Sequence, residues 1–219
     1  MLTYEEIRKS EAIKIYITRA DESLAALGYT EHSFSHVVHV AETAGYILTQ
    51  LGVDGRTVEL AKIAGYLHDI GNLVNRKEHS QSGAIMAWSI LNDMKCDPAE
   101  MATIVTAIGN HDEGTGVPVS PLAAALIIAD KSDVRRSRVR SKEDIHSDIH
   151  DRVNYAVTHS SLEIFPEEGQ ILLSLTIDPE ISSVMEYFEI FTKRMLLCRK
   201  AAQALGCAFR LNINGQIVA

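Results

Sequence analysis

The sequence predicts a mainly α-helical protein with a small α+β appendage at its C-terminus. Two observations carry that prediction. Apolar residues recur at helical spacing from the N-terminus to Asp130, in runs separated by polar or Gly/Pro-containing connections. Beyond Asp151 the pattern changes to two short runs, Ser161–Phe165 and Gln170–Ile177, joined at Pro166–Gly169, which reads as a β-hairpin.

Taken in order, residues 3–27 place Ile7, Ile13, Ile15, Ile17, Leu24 and Leu27 at helical spacing, with Gly28 as the stop. Residues 32–52 form a second helix, on which His32, His36 and His39 share one face. Asp54 or Thr57 caps the next helix. Its largely apolar run Ala61–Gly71 ends on His68-Asp69 and is the stretch around which the rest is organised. Neighbouring helical side chains point about 100° apart, so one imidazole reaches a metal while the adjacent carboxylate bridges to a second. Ala61, Ala64 and Gly65 let other helices pack close, and Gly71 is a natural helix stop.

A polar loop over Asn72–Glu78 leads to a helix that begins at His79. The next helix runs from Asp97 to His111 with Pro98 in its first turn. After the Gly/Pro-rich loop Glu113–Pro121, the run Leu122–Asp130 reads as a buried helix delivering a carboxylate at its end, and so apolar a setting demands a partner for it. The basic cluster Lys131–Arg140 follows, then a helix over 179–205 and a last segment, Ala208–Val218, turning at Asn214-Gly215.

A His-Asp dipeptide is common by chance, and the chain holds a control. His150-Asp151 lies in the polar run 141–152 and reads as solvated. His68-Asp69 differs in its company: His36, His79, His111 and Asp130 each stand inside or at the edge of an apolar helical segment. Imidazole and carboxylate together suit iron, manganese or zinc.

The 219 residues, 46% of them hydrophobic, suffice for one domain with a sizeable core. The expected division is a helical domain over 1–150, its core about 30–140, with an appendage over 151–219 packed on the same domain. A net charge of −8 argues against a general nucleic-acid or anionic-membrane binder. Cys96, Cys198 and Cys207 fall in no CxxC pair and read as free thiols of a reducing compartment. No apolar run approaches a membrane span, and the charged, amphipathic N-terminus is unlike a signal peptide, so a cytoplasmic location is expected.

His36, His68-Asp69 and Asp130, ordered along successive helices, resemble the signature of the HD superfamily of metal-dependent phosphohydrolases over residues 30–140. His36 is the preferred first histidine because it stands in a His-x-x-x-Val-Ala setting; His32 and His39 are secondary. His79 and His111 resemble the additional histidines of HD proteins that hold two ions. Relatives with such sites are the HD-GYP cyclic-dinucleotide phosphodiesterases and the bacterial HD enzymes that split diadenosine tetraphosphate symmetrically. The chain departs from HD-GYP proteins at Asn72, where they carry Lys, at Asn110-His111, where they carry paired histidines, and in the 114–118 loop, which lacks their tyrosine.

The resemblance implies an HD-type helical bundle and a divalent metal cofactor, two ions of Fe, Mn, Zn or Mg. It implies that His36, His68, Asp69, His79, His111 and Asp130 are ligands, with Asp69 bridging the ions and catalytic together with Lys131. Lys131 with Arg135, Arg136 or Arg138 is expected to meet substrate phosphate. Asp112 and Glu113 are alternative ligands or proton carriers. The expected partner is a small phosphorylated molecule, probed against a second reading in which the HD fold senses a nucleotide without efficient turnover. Membrane and nucleic acid are not expected partners, and homo-oligomerisation stays open.

Overall fold

The structure, a computed structural model, describes residues 1–140 and 149–219, so most of the polar run 141–152 lies outside the described residues. Helices dominate, as expected. The helix expected over 3–27 is divided into α1 (Tyr4–Lys9) and α2 (Glu11–Ala26), because Ser10 leaves helical geometry and its hydroxyl caps α2 at Ile13 N. Next come α3 (Phe34–Gln50), capped by Ser33, and α4 (Gly55–Leu67), capped by Asp54, which accepts from the Arg56 and Thr57 amides. Helices α5 (His79–Asp93), α6 (Pro98–Gly109) and α7 (Pro121–Lys131) complete the bundle. Asp97 and Ser120 cap the last two, each with proline in the first turn.

Helix α7 is the axis of the molecule. Every residue from Leu122 to Lys131 is buried, and the helix packs against α3, α4 and α6 of the bundle and α9 of the C-terminal part. A helix apolar on all sides is stable only when surrounded, which is why this run reads as continuous rather than amphipathic.

The C-terminal part consists of α8 (Ile149–Ala156), β1 (Val157–Phe165), β2 (Gln170–Ile177), α9 (Val184–Ala204), β3 (Ala208–Ile213) and β4 (Gln216–Ile217). The sheet order is β1-β2-β3-β4. Strands β1 and β2 form the expected antiparallel hairpin, whereas β3 joins β2 in parallel after the α9 crossover. Asn214 (φ 52°) and Gly215 (φ 84°) both take left-handed conformations in the tight turn to β4. Ile171, Leu173, Leu175, Phe209, Leu211 and Ile213 are buried on the inner face, and α9 packs against both β3 and α7. All three cysteines are free and buried. Among the described residues no helix is long and apolar enough to cross a membrane.

The organising run differs from expectation at its end. Helix α4 stops at Leu67; His68 is its cap residue, and Asp69 (φ −96°, ψ 2°) lies beyond it, before a 3-10 turn at Ile70–Leu73. Gly71 is therefore no helix stop. It permits close approach: a Cβ there would stand 2.0 Å from the His79 carbonyl and 2.4 Å from the Gly83 amide. Gly65 does the same between α3 and α4, where a Cβ would meet Ala41 Cα at 2.6 Å.

Gly65→Ala therefore gains about 1 kcal/mol of helix propensity, but forces a methyl into backbone that has no rotamer to yield. Overpacking of this kind costs about 1–3 kcal/mol or more. Urea unfolding is expected to show net destabilisation, while Gly55→Ala, whose Cβ meets nothing within 4 Å, stays neutral or gains slightly.

Candidate metal centre

The sequence-predicted ligands meet in one buried place. His36 comes from the first turn of α3, His68 from the end of α4, Asp69 from the turn after it, His79 from the start of α5, His111 from just beyond α6 and Asp130 from the last turn of α7. Helix ends supply most of them because a charged residue is tolerated where an apolar run stops. His36 Nε2 lies 3.5 Å from Asp69 Oδ2 and 3.4 Å from Asp130 Oδ1. His68 Nε2 lies 3.4 Å and 3.6 Å from the same two oxygens. On the other side, His79 Nε2 is 3.3 Å from Asp69 Oδ1 and 3.2 Å from His111 Nε2. The two oxygens of Asp69 thus face two groups of imidazoles.

The opposite ring nitrogens are all held by oxygen. Nδ1 donates to Asp133 Oδ2 in His36 (2.7 Å), to the Gly65 carbonyl in His68 (2.7 Å), to Arg76 O in His79 (3.1 Å) and to Ile108 O in His111 (2.6 Å). Carbonyl and carboxylate oxygens only accept here, so each Nδ1 carries a proton and Nε2 is the nitrogen turned inward. This is the arrangement of metal-ligating histidines, whose second nitrogen is fixed by an acceptor.

Electrostatics divide the rings: without a cation the carboxylates favour a second proton on His68 and His36, whereas His79 and His111 keep an inward lone pair. Burial opposes a charged His68, but Asp69 and Asp130 outweigh it and raise its pKa to about 10. Burial likewise opposes ionised Asp69 and Asp130, yet His68 and His36 beside the first, and Lys131 with the same imidazoles beside the second, hold both carboxyls well below their usual range. His111 is pushed down to about 3 by burial, then by the His68 and Lys131 charges, and burial also lowers His79. Both are neutral at ordinary pH.

The donor set fits a divalent cation on three counts. His68 Nε2 is buried without a hydrogen-bond partner, a costly omission for a polar atom. The neutral His79 and His111 turn two lone pairs on each other at 3.2 Å; no proton lies between them, and two imidazoles at about 2.0–2.1 Å from one tetrahedral ion leave a comparable gap. Ligand atoms of His36, His68 and Asp130, and of His68, Asp69 and His111, each lie within 4.8 Å of one another.

Residues 33–135 match the family model of the HD domain. The chain carries an HD domain. That family comprises metal-dependent phosphohydrolases, and the imidazole and carboxylate groups described above fall within the matched span or at its edge. Among curated relatives, an uncharacterized protein of Methanocaldococcus jannaschii, MJ1020, is 28% identical over 67% of this chain and 66% of its own length. Ribonuclease Y 1 of Pediococcus pentosaceus is 32% identical over 56% of this chain, and Ribonuclease Y of Acetivibrio thermocellus 35% identical over 52%. The match spans 22% and 21% of those two ribonucleases. A solved structure of a predicted HD superfamily hydrolase from an uncultured Thermotogales bacterium shares 25% identity, covers 62% of this chain and 75% of its own, and has a TM-score of 0.46.

Beside the HD centre opens a hollow of about 430 Å³, lined by Tyr29, His32, Arg76, Asp112, Glu113, Arg138, Phe191 and Arg194 among others. The basic residues expected at substrate are distributed differently. Lys131 is buried, its Nζ 2.6 Å from Asp130 Oδ2 and 3.7 Å from Glu113 Oε1, and it does not line the hollow. Arg135 turns away and grips Asp133. Arg136 donates to the Tyr155 carbonyl and stacks over its ring. Arg138 reaches the hollow but spends Nε on the Glu31 carbonyl and Nη1 on the Asp133 carbonyl.

Of the secondary histidines, His32 faces the centre, Nε2 4.0 Å from Asp69 Oδ2, while His39 is half-exposed and stands outside it. His150, read as solvated, is exposed yet lines the rim of the hollow with Asp151. Three residues escaped the sequence reading: Asp133, Arg76 and Arg194. Nearness in sequence was the one signal the first two carried, Asp133 three residues after Asp130 and Arg76 three before His79, each outside the helix that bears the ligand. Arg194 carried none.

Asp133 is the sole side chain that fixes His36 Nδ1, and losing such a partner costs about 10–100-fold in metal affinity. Asp133→Asn is expected to weaken Mn²⁺ or Zn²⁺ binding by that amount in a chelator competition. In the metal-free centre His68 holds a proton through neutral pH, and a cation displaces it. Apparent affinity should therefore rise with pH between 6 and 8, by up to about tenfold per unit for each proton released, and fall as pH drops, as calorimetry in buffers of different ionisation enthalpy will show.

Proposed function

We propose that the chain is a metal-dependent phosphohydrolase acting on a phosphate ester of a nucleotide or related small molecule. The observation that carries this reading is the inward convergence of the His36, His68, His79 and His111 Nε2 atoms on Asp69 and Asp130, each ring fixed from behind by an oxygen acceptor. In this reading His36, His68 and Asp130 would hold one ion and His79 and His111 the other, with an oxygen of Asp69 facing each group. Bound divalent ions supply Lewis acidity toward a phosphoryl oxygen and make water a usable nucleophile near neutral pH.

The remaining work falls to side chains. Lys131 neutralises the outer oxygen of Asp130 and leaves Oδ1 to the centre, so its catalytic part is positional. Asp112, 3.9 Å from His79 Nε2 and open to the hollow, is held ionised against burial by the Lys131 charge and the Gly114 amide. It is placed to take a proton from the attacking water. Arg76, 3.4 Å from His79 Nε2, orients the phosphoryl group.

The test is turnover of the purified chain, with Mn²⁺ or Fe²⁺, on p-nitrophenyl phosphate, bis(p-nitrophenyl) phosphate, nucleotides and a short RNA, the last because the ribonuclease relatives share the HD segment. Asp69→Ala is expected to lose metal and at least about a hundredfold in rate, since it removes a ligand and not merely a ligand's support. Unchanged turnover in that variant sinks the proposal. Tight nucleotide binding with no turnover across the panel transfers the site to the sensing reading.

A further inference from the structure

A phosphate in the hollow needs donors that the protein has not already used. Lys131, Arg135 and Arg138 are committed to Asp130, Asp133 and backbone carbonyls. Arg76 and Arg194 are not. Arg76 Nη1 makes only long contacts, 3.4 Å to Asn72 Oδ1 and 3.4 Å to His79 Nε2. The second of these ends once His79 gives its lone pair to a cation, which leaves the guanidinium beside the ion with donors open.

Arg194 reaches the same hollow from α9, outside the HD match at 33–135. Its Nε donates to Glu113 Oε1 at 2.8 Å, and its face lies over the Phe191 ring at 4.3 Å. The same Glu113 oxygen is 3.7 Å from Lys131 Nζ, which is bound to Asp130. Alternating charges thus tie Arg194 in a fixed orientation to a proposed metal ligand. Its two Nη atoms make no hydrogen bond among the described residues. A planar guanidinium held by ring and carboxylate, with its donor edge free, is preorganised for an anion.

We infer that Arg76 and Arg194 form a two-sided anion clamp across the hollow, so that the substrate is a small molecule carrying two phosphate groups, one at the metal centre and Arg76, the other at Arg194. This rests on the metal-centre reading and deepens it. A single phosphate is satisfied by the ions and Arg76, which leaves Arg194 without a task at the site. A hollow of about 430 Å³ accommodates an organic body between the two ends, with Tyr29 and Phe191 as apolar walls.

The test uses binding rather than turnover. Calorimetric titration of the Mn²⁺-loaded full chain compares pentane-1,5-bisphosphonate, with two anionic groups on an uncleavable chain, with pentylphosphonate, which has one. The wild type is expected to bind the first at least about tenfold more tightly, the worth of one charge-assisted pair. Arg194→Gln should abolish that preference and leave pentylphosphonate within about twofold, whereas Arg76→Gln weakens both probes. Metal content and thermal unfolding are measured alongside. Unchanged binding of both probes in Arg194→Gln makes Arg194 an ion pair of the fold and overturns the clamp. So does an equal fall for both. If that variant does not fold, the wild type decides, since equal affinity for the two probes overturns the clamp without any mutation. The two readings fail separately: a preference for two anions without turnover removes the phosphohydrolase and keeps the clamp, and turnover without the preference does the reverse.

Discussion

Two carboxylates, Asp69 and Asp130, stand in a dry interior where negative charge is costly, and much of the architecture follows from compensating them. Lys131 takes the outer oxygen of Asp130, and Asn72 donates to Asp69 Oδ1 at 3.0 Å. The remaining oxygens face imidazoles that hold protons or, in their place, cations. Removing one partner from such a group leaves the others unbalanced, so the set is built as a unit. This also accounts for α7, because an apolar helix packed on all sides places its terminal carboxylate deep in the molecule and at a fixed height against α3 and α4.

The same constraint fixes how the backbone is used. The rings of His68 and His111 each donate to a carbonyl three residues earlier, an oxygen left open in the last turn of a helix, and that of His79 donates to Arg76 O in the turn before α5. A helix terminus thereby both presents a ligand and orients it. His36 stands in the first turn of α3, where the carbonyl three residues back, Ser33 O, already accepts the His36 and Val37 amides, and a carboxylate from another segment, Asp133, does the work.

That contrast explains what was legible in the sequence. The helices, their caps and the ligand-bearing ends could be read because periodicity and a polar residue closing an apolar run are local signals. The break at Ser10 and the exit of α4 before His68 were not, since each is decided by hydrogen bonds over one or two residues within a pattern that otherwise continues. Asp133 lay within a basic cluster with every mark of a solvated turn. In the structure that cluster is a clasp: Arg138 and Glu31 exchange backbone and side-chain hydrogen bonds, and Arg140 binds Asp21 and the Tyr29 carbonyl. Charge density alone does not tell solvent from buried partners when those partners are backbone carbonyls far away in sequence.

The C-terminal part raises the same question at larger scale. Residues 151–219 lie outside the HD match at 33–135, yet α9 packs against α7 and hands Arg194 to the hollow. A parallel β2-β3 pair demands a crossover, and here the crossover helix is the one that seals the bundle. The small sheet therefore serves as a support that holds α9 against α7 from the far side, with Tyr187, Phe191 and Cys198 of α9 buried. Cutting the chain after the HD match would expose the apolar face of α7 and open one wall of the hollow together. Folding of the helical core and shaping of the hollow are in this sense one packing event, and it depends on a segment that supplies none of the imidazoles or carboxylates of the centre.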